Sequence, residues 1–340
     1  MPQTLYMQST AVSPVVSVAL SVYNGERFLS AAIDSVLAQS LGDFEFLILD
    51  DGSTDASAAI IRDAAAHDSR IRPIVRANRG LIVSLNQLIG EARAPLIARM
   101  DADDICLPDR FARQVAFLAA HPDYGVIGGA TDDIDENDAP WPCYALPYVA
   151  THEEFLARIA SGGPLLCHPA VMFRRDVVLK VGGYHAAFKH CEDLDLWLRL
   201  ASVTKLGNLS EKLLRYRHYA DQVSSRHATQ QHVGAAVARL AWAERAAGRP
   251  DPTEHLAQLP PVDELDALFR REGTARMVRA EVARGVLYSH ASLKDQGFDL
   301  ILRHVTEGGR REGLWRTVLR LLRFGEPVRA ARLAAALASH

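Results

Sequence analysis

The sequence predicts an α/β fold over residues 1–225, in which a mostly parallel sheet is flanked by helices, and an α-helical extension over residues 226–340. Three observations lead to this prediction. Short apolar runs alternate with segments whose apolar residues recur every three or four positions. The alternation becomes irregular after about residue 125, and alanine, arginine and leucine dominate from about residue 227. Alternation of strands and helices is typical of βαβ units, whose strands run parallel.

Four strand-and-helix pairs are predicted in the first 120 residues. Apolar runs at residues 15–20, 44–49, 71–75 and 95–100 have the length and composition of buried parallel strands. Each run is followed by a segment whose apolar side chains share one helical face. The residues that identify the four helices are Leu29, Ile33, Val36 and Leu37, then Ile60, Ile61 and Ala64, then Leu81, Leu85, Leu88 and Ile89, and finally Phe111, Val115 and Leu118.

The next 100 residues follow a less regular pattern. The predicted elements are strands over residues 125–129, 170–173, 205–209 and 213–217, an acidic loop over residues 132–138 and an amphipathic helix over residues 192–200. Three prolines between residues 140 and 147 are expected to interrupt regular structure there. We therefore expect the sheet to continue into this part with longer connections.

Composition restricts the class of protein. The 340 residues are 49% hydrophobic and 23% charged, which is typical of a globular chain with a large core. A formal net charge of −3 argues against a general nucleic-acid binder. The four cysteines are widely spaced, which argues against a zinc finger and favours reduced, buried thiols. No signal-peptide pattern and no apolar run of roughly 18 residues is present, so we expect a cytoplasmic protein.

Carboxylates follow two of the predicted strands directly. Asp50 and Asp51 end the second strand, and Asp101, Asp103 and Asp104 follow the fourth. Ligands of open α/β sheets bind outside these strand ends, where clustered acids repel one another unless a cation compensates. Hard divalent cations prefer such oxygen ligands. Two interpretations stay open for each cluster, a ligand site or aspartates that cap a helix and line a turn, and we favour a metal site for the second cluster.

A second acidic pair, Glu192 and Asp193, begins the helix predicted over residues 192–200. The helix dipole favours acidic residues there, which is the simpler explanation, and the functional alternative is a carboxylate base at the mouth of a cleft. The histidines form no recognised metal-binding pattern. His168 and His218 could each contact an anion or a metal, although a satisfied structural role is the default for a lone histidine.

Two common nucleotide-binding signatures are missing from the sequence. It contains no GxxxxGK[ST] motif, and no GxGxxG motif follows the first strand. These absences argue against a P-loop and against a dinucleotide-binding Rossmann site. A nucleotide would instead be held by aspartates, an aromatic side chain and a metal.

The order of several motifs resembles that of family 2 glycosyltransferases. The matching segments are residues 15–29, 35–39, 44–55, 78–81, 98–104, 108–111, 168–169, 174–175, 182–184 and 192–199. The resemblance covers residues 14–225 and finds no match in the C-terminal extension. It implies a nucleotide-sugar-dependent, inverting enzyme with the Rossmann-like GT-A fold.

The resemblance also implies roles for individual residues on the donor side. Tyr23 and Asp51 should contact the base of the nucleotide, usually uridine, with Asp51 accepting a hydrogen bond from the uracil N–H. Asp101 and Asp103 match the DxD motif, in which Asp103 would be the direct metal ligand. Arg99 lies in the same matching segment and is assigned with them to the nucleotide-sugar site.

Two further roles concern the acceptor and the diphosphate. Asp193 matches the position of the catalytic base, and His218 lies where some relatives place a further metal or diphosphate contact. The implied activity is transfer of a sugar from a nucleotide diphosphate, UDP in our expectation, with Mn²⁺ or Mg²⁺ as cofactor. The acceptor would be a hydroxyl of a glycan or lipid-linked saccharide in polysaccharide- or lipopolysaccharide-type biosynthesis. Two alternatives stay open, a sugar nucleotidyltransferase and a non-catalytic saccharide-binding or scaffold protein.

The C-terminal tail is basic, with eight arginines against three glutamates over residues 301–340. The predicted apolar face of one tail helix consists of Leu314, Trp315, Val318, Leu321 and Leu322, with Arg316, Arg320 and Arg323 opposite. A basic amphipathic helix can lie on an anionic membrane, here the inner face of the cell membrane. The alternative is packing on the catalytic domain or on a dimer partner, with the arginines in water.

Overall fold

Eight strands form one sheet in the computed structural model, which describes residues 13–142, 148–163, 165–219, 222, 227–287 and 289–339. In chain order they are β1 (Val16–Val22), β2 (Phe44–Asp50), β3 (Ile71–Val75), β4 (Leu96–Met100), β5 (Ile105–Cys106), β6 (Tyr124–Ile134), β7 (Met172–Arg174) and β8 (Lys205–Arg217). They lie side by side in the order β3-β2-β1-β4-β7-β6-β8-β5. The first four predicted strands are thereby confirmed to within two residues.

Helices flank the sheet and make up the C-terminal part. The first seven are α1 (Glu26–Leu37), α2 (Ser57–His67), α3 (Leu81–Glu91), α4 (Arg110–Ala120), α5 (His152–Ser161), α6 (Arg175–Lys180) and α7 (Glu192–Leu200). The extension contains α8 (Ala228–Ala246), α9 (Leu265–Leu268), α10 (Thr274–Gly285), α11 (His290–Lys294), α12 (Gln296–Thr306), α13 (Leu314–Arg323) and α14 (Pro327–Ala338). Within the described ranges, no helix is both long enough and apolar enough to cross a bilayer.

The predicted fold class, an α/β sheet flanked by helices with a helical extension, is confirmed. Strands β1 to β4 pair in parallel, and so do β6 and β8. Strand β7 is antiparallel to both β4 and β6, and the short β5 is antiparallel to β8, so the sheet is mixed. An apolar run predicts a strand but does not predict its direction, which depends on the path of the connections.

The ends of three strands meet at one edge of this sheet. β1 lies between β2 and β4, with Val22 opposite Asp50 and Leu20 opposite Met100. Because all three strands run in the same direction, the residues that follow them are neighbours. The predicted donor-side residues all lie in or directly after these strands, which places them at the edge where open α/β sheets bind ligands.

Two predictions about the later strands were wrong. β6 extends to Ile134, so residues 132–134 of the expected acidic loop belong to a strand, and β8 is one strand over Lys205–Arg217 rather than two. β6 and β8 pair in parallel over this length, with register shifts around Gly129 and Ala130 that accommodate extra residues of β8. Backbone hydrogen bonds between β6 and β8 therefore extend both strands through residues whose polar side chains did not predict a strand.

The helical extension packs directly on the α/β part. Helix α8 lies against α7, and one continuous apolar core runs from the sheet into the extension. Gly234 of α8 approaches Cys191 so closely that a Cβ atom there would lie 2.1 Å from the cysteine Sγ. This contact holds the N-terminus of α7, which bears Glu192 and Asp193. The predicted boundary between residues 225 and 226 lies within residues 223–226, which are outside the described part of the chain, and it stays a proposal.

Three of the four cysteines lie in the described part of the chain. Cys106, Cys167 and Cys191 are buried and free of disulfides. Burial raises the pKa of all three thiols, that of Cys167 to about 12. They therefore stay protonated and unreactive at neutral pH, as the sequence predicted, whereas Cys143 lies outside the described residues.

Arg110, at the start of α4, is fully buried, and its replacement is expected to destabilise the fold. Its Nη2 donates to the carbonyl oxygens of Arg99 at 2.7 Å and Val171 at 3.1 Å. Arg110→Met should lower the free energy of unfolding, measured in urea, by about 2–4 kcal/mol, because the carbonyls of Arg99 and Val171 each lose a buried guanidinium hydrogen bond, although Val171 still accepts the backbone N–H of Arg99 at 3.1 Å. The matched control is Arg113→Met in the same helix. Its half-exposed ion pair with Glu211 should contribute less than about 1 kcal/mol, and equal losses would contradict this account.

Candidate active site

A cavity of about 1140 Å³ opens at the edge of the sheet where β4 ends. Five of the seven residues predicted for the site line it, namely Arg99, Asp101, Asp103, Asp193 and His218. Cavities that hold substrates or cofactors are typically about 300–1,000 Å³, so this one can accept a ligand of nucleotide-sugar size. The structure thus brings together acids from β4 and α7 that are separated by about 90 residues in the chain.

Asp101, Asp103 and Asp104 form an acidic cluster directly after β4. One carboxylate oxygen of each lies within 4.8 Å of the others. Burial, followed by the charge of the neighbouring acids, raises the pKa of Asp103 to about 6 and that of Asp104 well above its ordinary value. Oδ2 of Asp104 is buried and finds no hydrogen-bond partner in the described part of the chain. The three carboxylates therefore resist being ionised together, and a bound cation would relieve that repulsion.

Two side-chain contacts, together with the backbone N–H of Arg217, which donates to Oδ1 of Asp104 over 2.9 Å, hold the acidic cluster in place. Arg99 is almost fully buried and forms an ion pair with Asp101. The hydroxyl of Tyr219 donates a hydrogen bond to Oδ2 of Asp103 over 2.8 Å. Sequence reasoning missed Tyr219, because this contact joins residues 116 positions apart and no local pattern marks it.

The donor set of the acidic cluster fits a hard divalent cation. Three carboxylates offer oxygen atoms within a few ångströms of one another, and one buried oxygen has no other partner among the described residues. Mg²⁺ and Mn²⁺ both accept such ligands, which therefore do not distinguish between them. Asp101 and Asp103 are two of the three metal ligands that the sequence analysis predicted, and the third was His218.

His218 lines the same cavity but is engaged by other residues. Its Nε2 lies 2.7 Å from Oδ1 of Asp133, and its ring stacks on Trp141 with the centroids 5.5 Å apart. Among the described residues, the group able to hold a metal contains the three aspartates after β4 and not this histidine. The role of His218 as a metal or diphosphate contact stays a prediction.

Glu192 and Asp193 lie in the first turn of α7, and both line the cavity. Burial and the adjacent charge of Asp193 raise the pKa of Glu192 to about 7. Burial also raises the pKa of Asp193, but the backbone N–H of Leu194, 2.8 Å from Oδ1, and the charge of Arg99 oppose that shift. Asp193 is therefore the better candidate of the pair to be ionised and to accept a proton.

The two residues predicted to contact the base, Tyr23 and Asp51, are not among the cavity-lining residues. Tyr23 is 55% exposed directly after β1. Asp51 is buried and accepts hydrogen bonds from the backbone N–H groups of Arg79 at 3.0 Å and Gly80 at 2.7 Å, and it pairs with Arg76 at 2.9 Å. Arg79 and Gly80 do line the cavity, so Asp51 positions that wall. Contact of either residue with a base stays a prediction.

His168 contributes a neutral imidazole to the cavity wall. Its Nε2 lies 2.7 Å from the hydroxyl of Tyr184, which is buried, and His168 itself is partly buried. Burial and the charge of Arg99 lower the pKa of His168 well below its ordinary value. The ring therefore has the satisfied structural role that is the default for a lone histidine.

Comparison with known sequences identifies relatives of this chain. A model of the family described as glycosyl transferase family 2 matches residues 17–182. EpsE of Bacillus subtilis strain 168 is 36% identical over 221 residues, which cover 64% of this chain and 77% of EpsE. The O-antigen biosynthesis glycosyltransferase WbnJ of Escherichia coli is 30% identical over 213 residues, which cover 62% of this chain and 82% of WbnJ.

Comparison with solved structures gives the same fold. TarS of S. aureus, residues 1–349 in complex with UDP-GlcNAc, superposes with a TM-score of 0.56 at 15% identity, covering 95% of this chain and 90% of that one. The mannosyltransferase PcManGT of Pyrobaculum calidifontis, in complex with GDP-Man and Mn²⁺, gives 0.54 at 14% identity, covering 96% and 88%. The structures show the fold, and the sequence relatives establish that the chain belongs to glycosyl transferase family 2 and is an enzyme that transfers sugars.

Proposed function

We propose that this enzyme is a metal-dependent, inverting glycosyltransferase that uses a UDP-sugar as donor. In this proposal the acceptor is a hydroxyl of a glycan or lipid-linked saccharide in polysaccharide biosynthesis. The observation that carries the proposal is one cavity lined both by the acidic cluster after β4 and by Asp193 of α7. Inverting transfer needs two such groups, one at the leaving diphosphate and one at the attacking hydroxyl.

In the proposed reaction, the acceptor oxygen bonds to the anomeric carbon of the sugar while the bond from that carbon to the diphosphate oxygen breaks. The electron pair of the broken bond leaves with the nucleoside diphosphate. Asp193 accepts the proton of the attacking hydroxyl, which requires an ionised carboxylate. Attack from the face opposite the leaving group inverts the configuration at the anomeric carbon.

Asp101 and Asp103 would hold the divalent cation of the proposed enzyme. When bound, the cation supplies positive charge beside the oxygens of the departing diphosphate. Arg99, paired with Asp101, orients that carboxylate from a buried position. The metal found in PcManGT supports a divalent cation here, although the oxygen ligands of this chain suit Mn²⁺ and Mg²⁺ alike.

The donor assignment rests on the loop beside β2 and on the relatives. Asp51 holds the backbone of Arg79 and Gly80 against the cavity, and we propose that the nucleoside lies along this wall near Tyr23. TarS binds UDP and UDP-GlcNAc, which supports uridine as the base. WbnJ, named for O-antigen biosynthesis, supports a saccharide acceptor.

A donor panel with and without metal tests the proposal. The purified enzyme is incubated with UDP-, dTDP- and GDP-sugars, and release of the free nucleoside diphosphate is measured. UDP release is expected with Mn²⁺ or Mg²⁺, with a loss of roughly a hundred-fold or more in EDTA that added metal restores, because the charge on the leaving diphosphate is then uncompensated.

Other outcomes of the panel would contradict the proposal in distinct ways. Pyrophosphate formation from a sugar phosphate and a nucleoside triphosphate would identify a nucleotidyltransferase. Saccharide binding without release from any donor would identify a non-catalytic protein. Release of dTDP or GDP alone would overturn the uridine assignment but retain the reaction class.

A further inference from the structure

Large apolar side chains are exposed close together near the C-terminus. Of the thirteen large apolar side chains exposed in the described residues, four lie within residues 315–328. They are Trp315 at 55% exposure, Leu319 at 66%, Leu322 at 52% and Val328 at 71%. The first three follow one another at spacings of four and three along α13, so they share one face of that helix. An exposed apolar cluster of this kind marks an interaction site more often than a chance arrangement.

The outward face of α13 is separate from the face that stabilises the fold. Leu314, Val318 and Leu321 are buried in the core of the extension. The expectation of one apolar face that also contains Trp315 and Leu322 was therefore wrong, because those two side chains point to solvent. The helix has two apolar faces, of which only one is covered by this chain.

The charges beside the outward face are positive and unpaired. Arg316 and Arg323 each lie about a quarter-turn from its centre, at 100° per residue. Both are exposed, and neither forms an ion pair with any described residue. By contrast, Arg329 of α14 lies 3.7 Å from Glu326. Helix α13 contains no acidic residue, so nothing on it would repel an anionic partner.

We propose that this outward face, formed by Trp315, Leu319 and Leu322 with Arg316 and Arg323 beside it, docks on an anionic lipid bilayer. The apolar side chains would enter the boundary between headgroups and acyl chains, where tryptophan is favoured. The arginines would contact lipid phosphates, and their planar donors suit that partner. One exposed helix face that carries both apolar and basic side chains suits the surface of a fluid bilayer. A protein groove would in addition need a shape complementary to the helix.

This surface is independent of the catalytic cavity. None of its residues lines that cavity, and none belongs to the segment that matches the family model. Membrane docking would bring the enzyme to lipid-linked molecules whatever sugar it transfers. The test of membrane docking therefore depends neither on the identity of the donor nor on the catalytic role of Asp193.

Vesicle flotation with the full chain tests the proposal. One set of vesicles contains phosphatidylcholine alone, and the other also contains phosphatidylglycerol. The wild type is expected to float with the anionic vesicles. When only the neutral vesicles are present, it is expected to remain unbound in the bottom fraction. Raising the ionic strength from about 0.1 M to about 1 M shortens the Debye length from about 10 Å to about 3 Å, and flotation should decrease accordingly.

Two sets of variants locate the binding surface. Leu319→Glu should lower the partition coefficient on anionic vesicles by at least about ten-fold, because a charge replaces a leucine that would enter the bilayer. The double variant Arg316→Gln, Arg323→Gln should lower it by about five-fold for each arginine lost. The matched control is Met277→Glu, which alters an exposed apolar residue, 46% accessible, on α10 of the same extension and should bind as the wild type does.

The proposal is overturned if the wild type binds neither kind of vesicle, or if Met277→Glu weakens binding as much as Leu319→Glu. It is also overturned if the wild type does not bind vesicles and sedimentation shows a dimer that Leu319→Glu dissociates. The outward face would then bind a second copy of the chain. Thermal unfolding of each variant checks the fold. If Leu319→Glu were unfolded, the arginine variant, whose side chains are exposed, decides the outcome alone.

Discussion

Transfer by the Asp103→Ala variant is expected to fall by roughly a thousand-fold or more, because the cation that compensates the leaving diphosphate loses its direct ligand. Donor binding in the presence of Mn²⁺ should weaken as well, and Mn²⁺ should no longer strengthen it. Calorimetric titration of UDP with and without metal measures this coupling. The fold should not suffer, since removing one of three mutually repelling carboxylates relieves charge repulsion in the cluster.

The matched control for this variant is Asp132→Ala. Asp132 lies on β6, pairs with Lys212 at the surface and does not line the cavity. Its loss should leave transfer and metal-dependent binding within about two-fold of the wild type, since surface ion pairs contribute little. Metal-dependent UDP binding that survives in Asp103→Ala would remove this residue from the metal site and leave Asp101 and Asp104 as the ligands to test.

Asp193→Asn is expected to reduce transfer by about 10²- to 10⁴-fold, the usual contribution of a general base, while UDP binding stays nearly unchanged. Asparagine has the shape of aspartate but does not accept a proton, so the variant separates positioning from chemistry. Single-turnover rates at saturating donor measure the loss, and UDP titration measures binding. A large loss of donor affinity would show that Asp193 acts on the donor side.

Glu192→Gln is the matched comparison, since Glu192 is adjacent to Asp193 and also lines the cavity. With a pKa raised to about 7, Glu192 is partly protonated at neutral pH and is less suited to accept a proton. The variant should therefore retain most of the transfer activity. The reverse result, an active Asp193→Asn and an inactive Glu192→Gln, would exchange the roles of the two residues.

Much of the site was predictable because its chemistry follows strand ends. Asp101 and Asp103 directly follow the buried strand β4, and parallel pairing brings the ends of β1, β2 and β4 to one edge. That the residues following these strands are neighbours therefore depends only on the strand order. Asp193 was predicted from its match to the family, and α7 brings it to the same cavity.

Contacts between distant parts of the chain were not predictable in the same way. Tyr219 lies near Asp103 because β8 pairs with β5, the short strand directly after the acidic cluster, and the sequence pattern did not predict that strand. Asp51 lies on the predicted strand end, yet its oxygens are occupied by the loop containing Arg79. In both cases the contact depends on where a distant segment of the chain lies. Local periodicity in the sequence carries no information about that position.

The sequence by itself determined the order of the first four strands and their helices, the sheet edge at which acids gather and the family, because periodicity and local motifs are properties of neighbouring residues. Only the tertiary structure decided which of these residues share a cavity and how their charges influence one another. It also decided that α13 buries Leu314 and Leu321 while exposing Trp315 and Leu319. Burial and electrostatic coupling depend on distances between segments that are far apart in the chain, and these distances exist only after packing.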